Sequence, residues 1–394
     1  MIAWRRFSRI PTAMAGLAWT VFAAMLAIMA YFIIPDRTPH ANHQQLELNL
    51  HPPGTQMNIL HVRRNQHLES PSFLSRLING KPSPYSTIPI QRWWFDQDTL
   101  YYETYPGQPG YPGIEAYIHV ADVLFALDTT FDTELVAGDT LIFKDFEGVI
   151  NRKCLANMQE FIDRDHIKTR RFLLGTDRFG RDMLSRLIMG TRVSLSVGFI
   201  AVCISLLIGI TLGSLAGFYR GRIDQGILWL INVVWSIPTL LLAIAITFAL
   251  GKGFWQVFVA VGLTMWVEVA RLVRGQVISI RENEYVEAAR ALGLSSFRII
   301  RRHILPVSMG PVIIISAANF ASAILIEAGL SFLGIGVQPP MPSWGSMIRE
   351  HYGYIILDKA YLAVLPGLAI MLMVLAFMLI GNGLRDALDR SAQD

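Results

Sequence analysis

From Glu287 to Pro306 the chain reads EAARALGLSSFRIIRRHILP, one carboxylate followed by guanidinium groups at Arg290, Arg298, Arg301 and Arg302. The chemistry such groups offer is ion pairing and charge-assisted hydrogen bonding to another molecule. Apolar segments long enough to cross a bilayer flank the run on both sides. A helix so charged is excluded from hydrocarbon, so it must lie at the membrane surface and present a face to something soluble. Pattern alone also allows an amphipathic helix lying on anionic lipid.

Few other residues suggest chemistry. No G-x-x-x-x-G-K-[ST] phosphate loop and no H-E-x-x-H pair occurs, so neither ATP hydrolysis nor metalloprotease chemistry is expected of the chain, and no cofactor. Glu268 and Glu327 are the carboxylates closest to apolar stretches. Such groups raise a functional question by default. Both lie near expected span ends, Glu268 three residues before Arg271, which favours an ion pair or interface position. Seven of the nine histidines (His40, His43, His51, His61, His67, His119 and His166) fall between residues 35 and 192. None pairs at i,i+4 beside a carboxylate, so a solvated polar segment is the plainer reading than a metal site. Cys154 and Cys203 provide no disulfide framework.

The elements that would position the charged run are membrane spans. The 394 residues are 53% hydrophobic and only 16% charged, against about 25% in soluble domains. Mean hydropathy is +0.41. A hydrocarbon core of about 30 Å needs about 20 apolar residues. Stretches at 13–34, 193–218, 227–250, 254–270, 307–326 and 361–380 meet or approach that length. Arg5, Arg6 and Arg9 precede the first, which places the N-terminus in the cytoplasm. Alternation then puts Arg220, Arg222, the 271–302 region, Arg385 and Arg390 on that same side. The loop at 251–253 and the segment 334–359 fall outside. The first span reads as an uncleaved anchor, because its apolar run is too long for a signal peptide.

Residues 35–192 then form an extracytoplasmic insertion. Turn signals such as the Pro-Gly repeats at 105–113 mark it as folded and polar. Strands are expected at 117–126 and 135–144, with a bend at Gly138 and Asp139, and a helix at 151–164; together they predict a small α+β domain. The cluster Trp93, Trp94, Phe95, Tyr101 and Tyr102 is read as its core or as a headgroup contact rather than a partner patch. In the remaining chain, 193–394, Pro238 predicts a kink in the third span. Gly209, Gly213 and Gly217 put small residues on one face of the second. Within the charged run, Ala288, Ala289, Ala291 and Leu292 favour helix. Gly293 suits a bend between two short helices, and Pro306 suits the first turn of the next. Leu294, Phe297, Ile300 and Ile304 recur at helical spacing as one candidate contact face.

Glu287, Ala288 and Ala289, then Gly293, then Leu305 and Pro306 resemble the EAA loop of binding-protein-dependent ABC importer permeases. His303 departs from the isoleucine of the broad pattern, and the ending His303-Ile-Leu-Pro306 is similar to the dipeptide/oligopeptide/nickel branch. Further runs resemble the second (C-type) permease of that branch: Leu174-Gly-Thr-Asp177 with Gly180-Arg-Asp182, Ala270-Arg-Leu-Val-Arg-Gly-Gln276, Arg281-Glu-Asn-Glu-Tyr285, Glu327-Ala-Gly-Leu-Ser-Phe-Leu-Gly334, Val337-Gln-Pro-Pro340 and Pro342-Ser-Trp-Gly345.

The resemblance implies an all-α polytopic membrane protein with six transmembrane helices of the type I ABC importer permease kind, carrying the inserted α+β domain. It implies a non-enzymatic permease in a bacterial inner membrane, forming half of a translocation pore for peptides, with nickel or another small solute as the alternative. Implied partners are a second homologous permease, two ATP-binding cassette subunits, an extracytoplasmic solute-binding protein and membrane lipid, with no nucleic acid. The coupling loop would occupy 274–305, with Glu287, Ala288, Ala289, Gly293, Leu294, Phe297, Leu305 and Pro306 as its ATPase-coupling residues. A proton-coupled secondary transporter is the rival class; it would carry charge at the bilayer midplane and internal repeats, and neither is evident in the sequence. A membrane-anchored sensor would leave five spans unexplained.

Overall fold

A computed structural model of the chain describes residues 2–66, 72–108, 110–127, 134–136, 140–251 and 253–388. Two compact units emerge, Met1–Ile28 with Met189–Asp394, and Met29–Ile188. The chain opens with α1 (Ile2–Phe7) and the long apolar α2 (Pro11–Ile33).

The Met29–Ile188 unit combines strands and short helices. In order these are β1 (Thr55–Arg63), α3 (Phe73–Asn79), β2 (Tyr85–Asp96), β3 (Thr99–Thr104), β4 (Glu115–His119), α4 (Val120–Leu124), β5 (Glu134–Val136), β6 (Thr140–Lys144), β7 (Ile150–Cys154), α5 (Leu155–Phe161) and β8 (Ile167–Phe172). Five strands form an antiparallel sheet in the order β4-β3-β2-β1-β8, and β5-β6-β7 form a smaller one. Leu60, Ile90, Leu100, Leu141, Phe143 and Ile162 fill the core beneath them. The expected strand at 117–126 ends at His119, because Val120, Ala121 and Val123 turn into α4 to bury one face. The expected helix at 151–164 starts only at Leu155; residues before it extend β7, and a π turn, Ile162–His166, follows. The expected bend at Gly138 and Asp139 lies outside the described residues, as do His67 and Arg390 and part of the loop at 251–253. Of the aromatic cluster, Tyr102 is buried and Trp93 and Phe95 pack on the core, whereas Trp94, Tyr101 and Tyr117 stack outward across three strands.

The other unit is helical: α6 (Met183–Tyr219), α7 (Gly221–Trp235), α8 (Thr239–Leu250), α9 (Phe254–Arg281), α10 (Glu284–Ala291), α11 (Ser296–Ile299), α12 (Leu305–Phe332), α13 (Trp344–His351) and α14 (Tyr361–Leu388). Five helices (α2, α6, α9, the run α11–α12, and α14) are long and apolar enough to cross a membrane. The α7–α8 pair makes a sixth only if taken as one broken span, since its axes meet at 94°. Pro238 therefore does more than kink the third span. It stands between the two helices with extended ψ, and Ser236, Ile237 and Pro238 break the ladder completely. Gly209, Gly213 and Gly217 on α6 pack on α9 so closely that a Cβ at Gly209 would lie 2.5 Å from Val269 Cβ and 2.8 Å from the Trp266 carbonyl. Small residues at this spacing let two backbones approach, which is how helices gain contact where no hydrophobic effect drives them together.

Candidate functional site: the charged loop between α9 and α12

The loop is built from its glycine outward. Asn283 begins α10, accepting at its carbonyl from the Glu287 N–H at 3.3 Å, and Glu287 sits in the first helical turn, where a negative charge suits the dipole. The helix ends in a Schellman arrangement. The Leu294 N–H donates to the Ala289 carbonyl at 3.2 Å and the Gly293 N–H to Arg290 at 2.9 Å, with Gly293 at φ +77°. Only glycine takes that φ without a steric penalty, so the residue sets the angle at which α11 leaves α10.

One face of the loop is fixed in a core. Val286, Ala289, Ile299, Ile300 and Ile304 are buried against Phe218 of α6, Val273 and Val277 of α9, and Val312 of α12. Polar contacts reinforce the same corner. Arg274 makes a two-pronged pair with Asp224 of α7, at 2.5 and 2.7 Å. Arg220 pairs with Glu282, and the Arg281 guanidinium donates to the Phe218 carbonyl at 2.5 Å. Arg281 and Arg290 also lie over the Phe218 ring, at 5.7 and 5.0 Å. The ends of α6, α7 and α9 are thereby tied to α10.

The other face is bare. Leu292 is 81% exposed and Phe297 71%, with Tyr285, Glu287, Ala288 and Pro306 also outward. Leu294 and Leu305 are half-buried against the core, and Ala289 is buried within it. The supposed face of Leu294, Phe297, Ile300 and Ile304 is thus corrected. Ile300 and Ile304, in a π turn at Ile300–Ile304, point inward, whereas Phe297 on α11 before it points out. Sequence reasoning passed over Leu292 and Tyr285 as surface residues and Phe218 as the anchor; a helical wheel with Gly293 as a break would have exposed Leu292.

Glu327 and Glu268 both lie inside long helices. α12 runs on past Glu327 to Phe332, and Glu327 is fully buried, accepting from Ser331 Oγ at 2.7 Å and Ser194 Oγ at 3.4 Å. Glu268 lies midway along α9, which continues to Arg281, and among the described residues no ion pair joins it to Arg271, whose guanidinium lies over the Trp235 ring. Among the described residues of the other unit, His61 and His166 tie β1 to the turn before β8. His61 and His166 each direct Nδ1 at the other's carbonyl, at 3.1 and 2.7 Å, and burial lowers the affinity of both rings for a proton.

Residues 209–394 match the family described as binding-protein-dependent transport system inner membrane component, and residues 1–53 match the N-terminal TM domain of oligopeptide transport permease C. The chain is 44% identical over 216 residues to the glutathione transport system permease protein GsiD of Pectobacterium atrosepticum, spanning 55% of this chain and 71% of that one. The chain belongs to this family of transport permeases. It is 45% identical to the dipeptide permease protein DppC of Alkalihalophilus pseudofirmus, over 55% of this chain and 70% of that one. The di/tripeptide permease protein DppC of Pseudomonas aeruginosa shares 46% identity, over 56% and 72%. Among solved structures, an inward-facing MetNI methionine ABC transporter aligns at 19% identity and TM-score 0.45, covering 52% of this chain and 98% of that one. As an inner-membrane permease component, the chain presents in its α9–α12 loop a surface that is anchored on one side and open on the other.

Proposed function

We propose that this permease is one membrane half of an ATP-driven importer for peptides, paired with a second homologous permease and driven by two cytoplasmic ATPase subunits that seat on the α10–α11 loop. The observation that carries the reading is the placement of two exposed large apolar side chains, Leu292 and Phe297, on a loop whose opposite face is locked into the ends of the spanning helices. Exposed apolar groups of this size on a cytoplasmic loop are accounted for by a protein partner. Its relatives, which are glutathione, dipeptide and di/tripeptide permeases by name, support a short peptide as cargo over nickel.

Glu287, Ala288, Leu292 and Phe297 make the contact, Pro306 borders it, and Gly293 fixes the angle between its two arms. Ala289, Leu294 and Leu305 transmit displacement inward, through the cluster at Phe218, Val273 and Val277, to α6 and α9. ATPase closure would then move the spanning helices as levers, giving alternating access. Arg5, Arg6 and Arg9 orient the N-terminus to the cytoplasm and the Met29–Ile188 unit to the outside, where it meets the solute-binding protein.

Cysteine placed at Ala288, with Cys154 and Cys203 replaced by serine, tests the docking. A short bifunctional reagent should join it to the co-expressed ATPase subunit in inside-out vesicles. Labelling of that cysteine by an impermeant reagent from outside intact cells would refute the orientation. Uptake that persists after ATP depletion and stops with a protonophore would favour the secondary-transporter reading.

A further inference from the structure

Glu268 is the only acidic residue in the 28 positions of α9, and it sits at their centre. Its neighbours Met265, Trp266, Val267, Val269 and Ala270 are buried, while Glu268 itself is exposed. Three residues on, where an ion-pair partner would stand, the Arg271 guanidinium is instead laid over the Trp235 ring at 3.5 Å. Among the described residues Glu268 has no ion pair or hydrogen bond. An unpaired carboxylate beside the apolar part of a spanning helix raises a substrate or ion path as its default role.

The carboxylate does not stand on a featureless surface. It lines a cavity of about 290 Å³ between α9, α12 and the broken α7–α8 pair, together with Trp235, Thr239, Thr264 and Ser322, and with Leu325 among the apolar wall residues. A second recess, shared with Arg271 and Ile315, continues along α9. One carboxylate beside the hydroxyl groups of Thr239 and Ser322 suits a monovalent organic cation with several N–H donors, while the Thr264 hydroxyl is taken by the Val261 carbonyl and the Trp235 ring by Arg271. A hard divalent ion would need more oxygen ligands than one carboxylate and scattered hydroxyls provide.

We infer that Glu268 is a cation station on the translocation path that receives the free α-ammonium of a peptide in transit, an assignment that rests on the importer reading above. The apolar wall takes the first side chain while Thr239 and Ser322 compete for the remaining N–H groups.

The assembled transporter in nanodiscs, titrated with alanyl-alanine amide and with its N-acetylated counterpart, tests the inference by intrinsic tryptophan fluorescence or calorimetry. Both probes lack a carboxylate and differ in the ammonium alone. Wild type should bind the ammonium probe at least tenfold more tightly. Glu268→Gln should lose the preference, and Glu268→Asp should keep most of it. Equal binding of the two probes by wild type, no binding of either, or a preference that survives in Glu268→Gln would overturn the inference. ATP-dependent peptide uptake by the same preparation is a separate readout, so failure of the importer reading is distinguishable from failure at Glu268.

Discussion

Truncation of Phe297 separates docking from packing more cleanly than any other change in the loop. The side chain is 71% exposed, so Phe297→Ala removes little that the isolated permease uses. Full burial of a large apolar side chain contributes about 1.5–3 kcal/mol. With some seven-tenths of its surface still in water, a partner that covers it stands to gain roughly 1–2 kcal/mol, or about 5- to 30-fold in affinity. Leu292, 81% exposed, offers a similar amount, and the double variant should weaken ATPase association by about two orders of magnitude if the two act independently. Ile304→Ala is the control. Ile304 is fully buried, so its truncation should cost about 2–5 kcal/mol of stability through the cavity it leaves. Melting of the purified permease and sedimentation or surface-capture affinity for the ATPase subunit would be measured side by side. Phe297→Ala should leave the melting temperature within about a degree and shift only the affinity; Ile304→Ala should lower the melting temperature first. If Phe297→Ala and Leu292→Ala together leave ATPase affinity unchanged, the exposed face is not the docking surface and the coupling argument fails.

Gly293→Val should impair coupled ATPase activity while Gly293→Asn largely preserves it. A Cβ there meets no atom within 4 Å, so the penalty, about 1–2 kcal/mol, lies in the backbone at φ +77° and is largest for a β-branched residue. Gly209→Ala should lower the melting temperature in detergent, by the equivalent of about 1–3 kcal/mol, because the added methyl meets the Trp266 carbonyl and Val269; an unchanged melt would contradict the close α6–α9 approach. Glu327→Leu should destabilise the helical unit by about 1–3 kcal/mol by stranding Ser331 and Ser194, whereas Glu327→Gln keeps an acceptor and should cost less. Burial lowers the proton affinity of His43, His61 and His166 below the ordinary value of 6.5. The folded unit therefore binds fewer protons than the unfolded chain, its full stability is present above about pH 6.5, and it weakens as pH falls from there. Asp122 and Asp182, whose carboxyls burial shifts upward, work in the opposite sense at lower pH. Protection factors of the β1 and β8 amides in the full-length protein, corrected for the intrinsic exchange rate at each pH, should fall between pH 7.5 and 5.5; protection that is flat or rises would refute the assignment.

Length and polarity made the membrane spans legible, since only an unbroken apolar run of about 20 residues satisfies a bilayer and the sequence displays it directly. The loop was legible for a local reason too: Glu287-Ala-Ala, Gly293 and Pro306 each specify a start, a stop or a restart through their own backbone chemistry. Strand and helix limits in the Met29–Ile188 unit were less so, because Val120 to Leu124 reads equally well as strand or helix and only burial of Val120, Ala121 and Val123 in one core decides for helix. The tertiary structure alone revealed what polar residues do inside an apolar element. Arg271, Arg274 and Arg281 seemed to end the fourth span, yet helix α9 runs through all three because Trp235, Asp224 and the Phe218 carbonyl receive them, which leaves Glu268 midway along the helix. The direction of Phe297 was likewise undecided by period, since only the packing of Ile299, Ile300 and Ile304 into the core leaves Phe297 on the open face. Local backbone preference and hydrophobic length are written residue by residue, whereas the partner of a buried charge lies tens of residues away and exists only once the chain has folded around it.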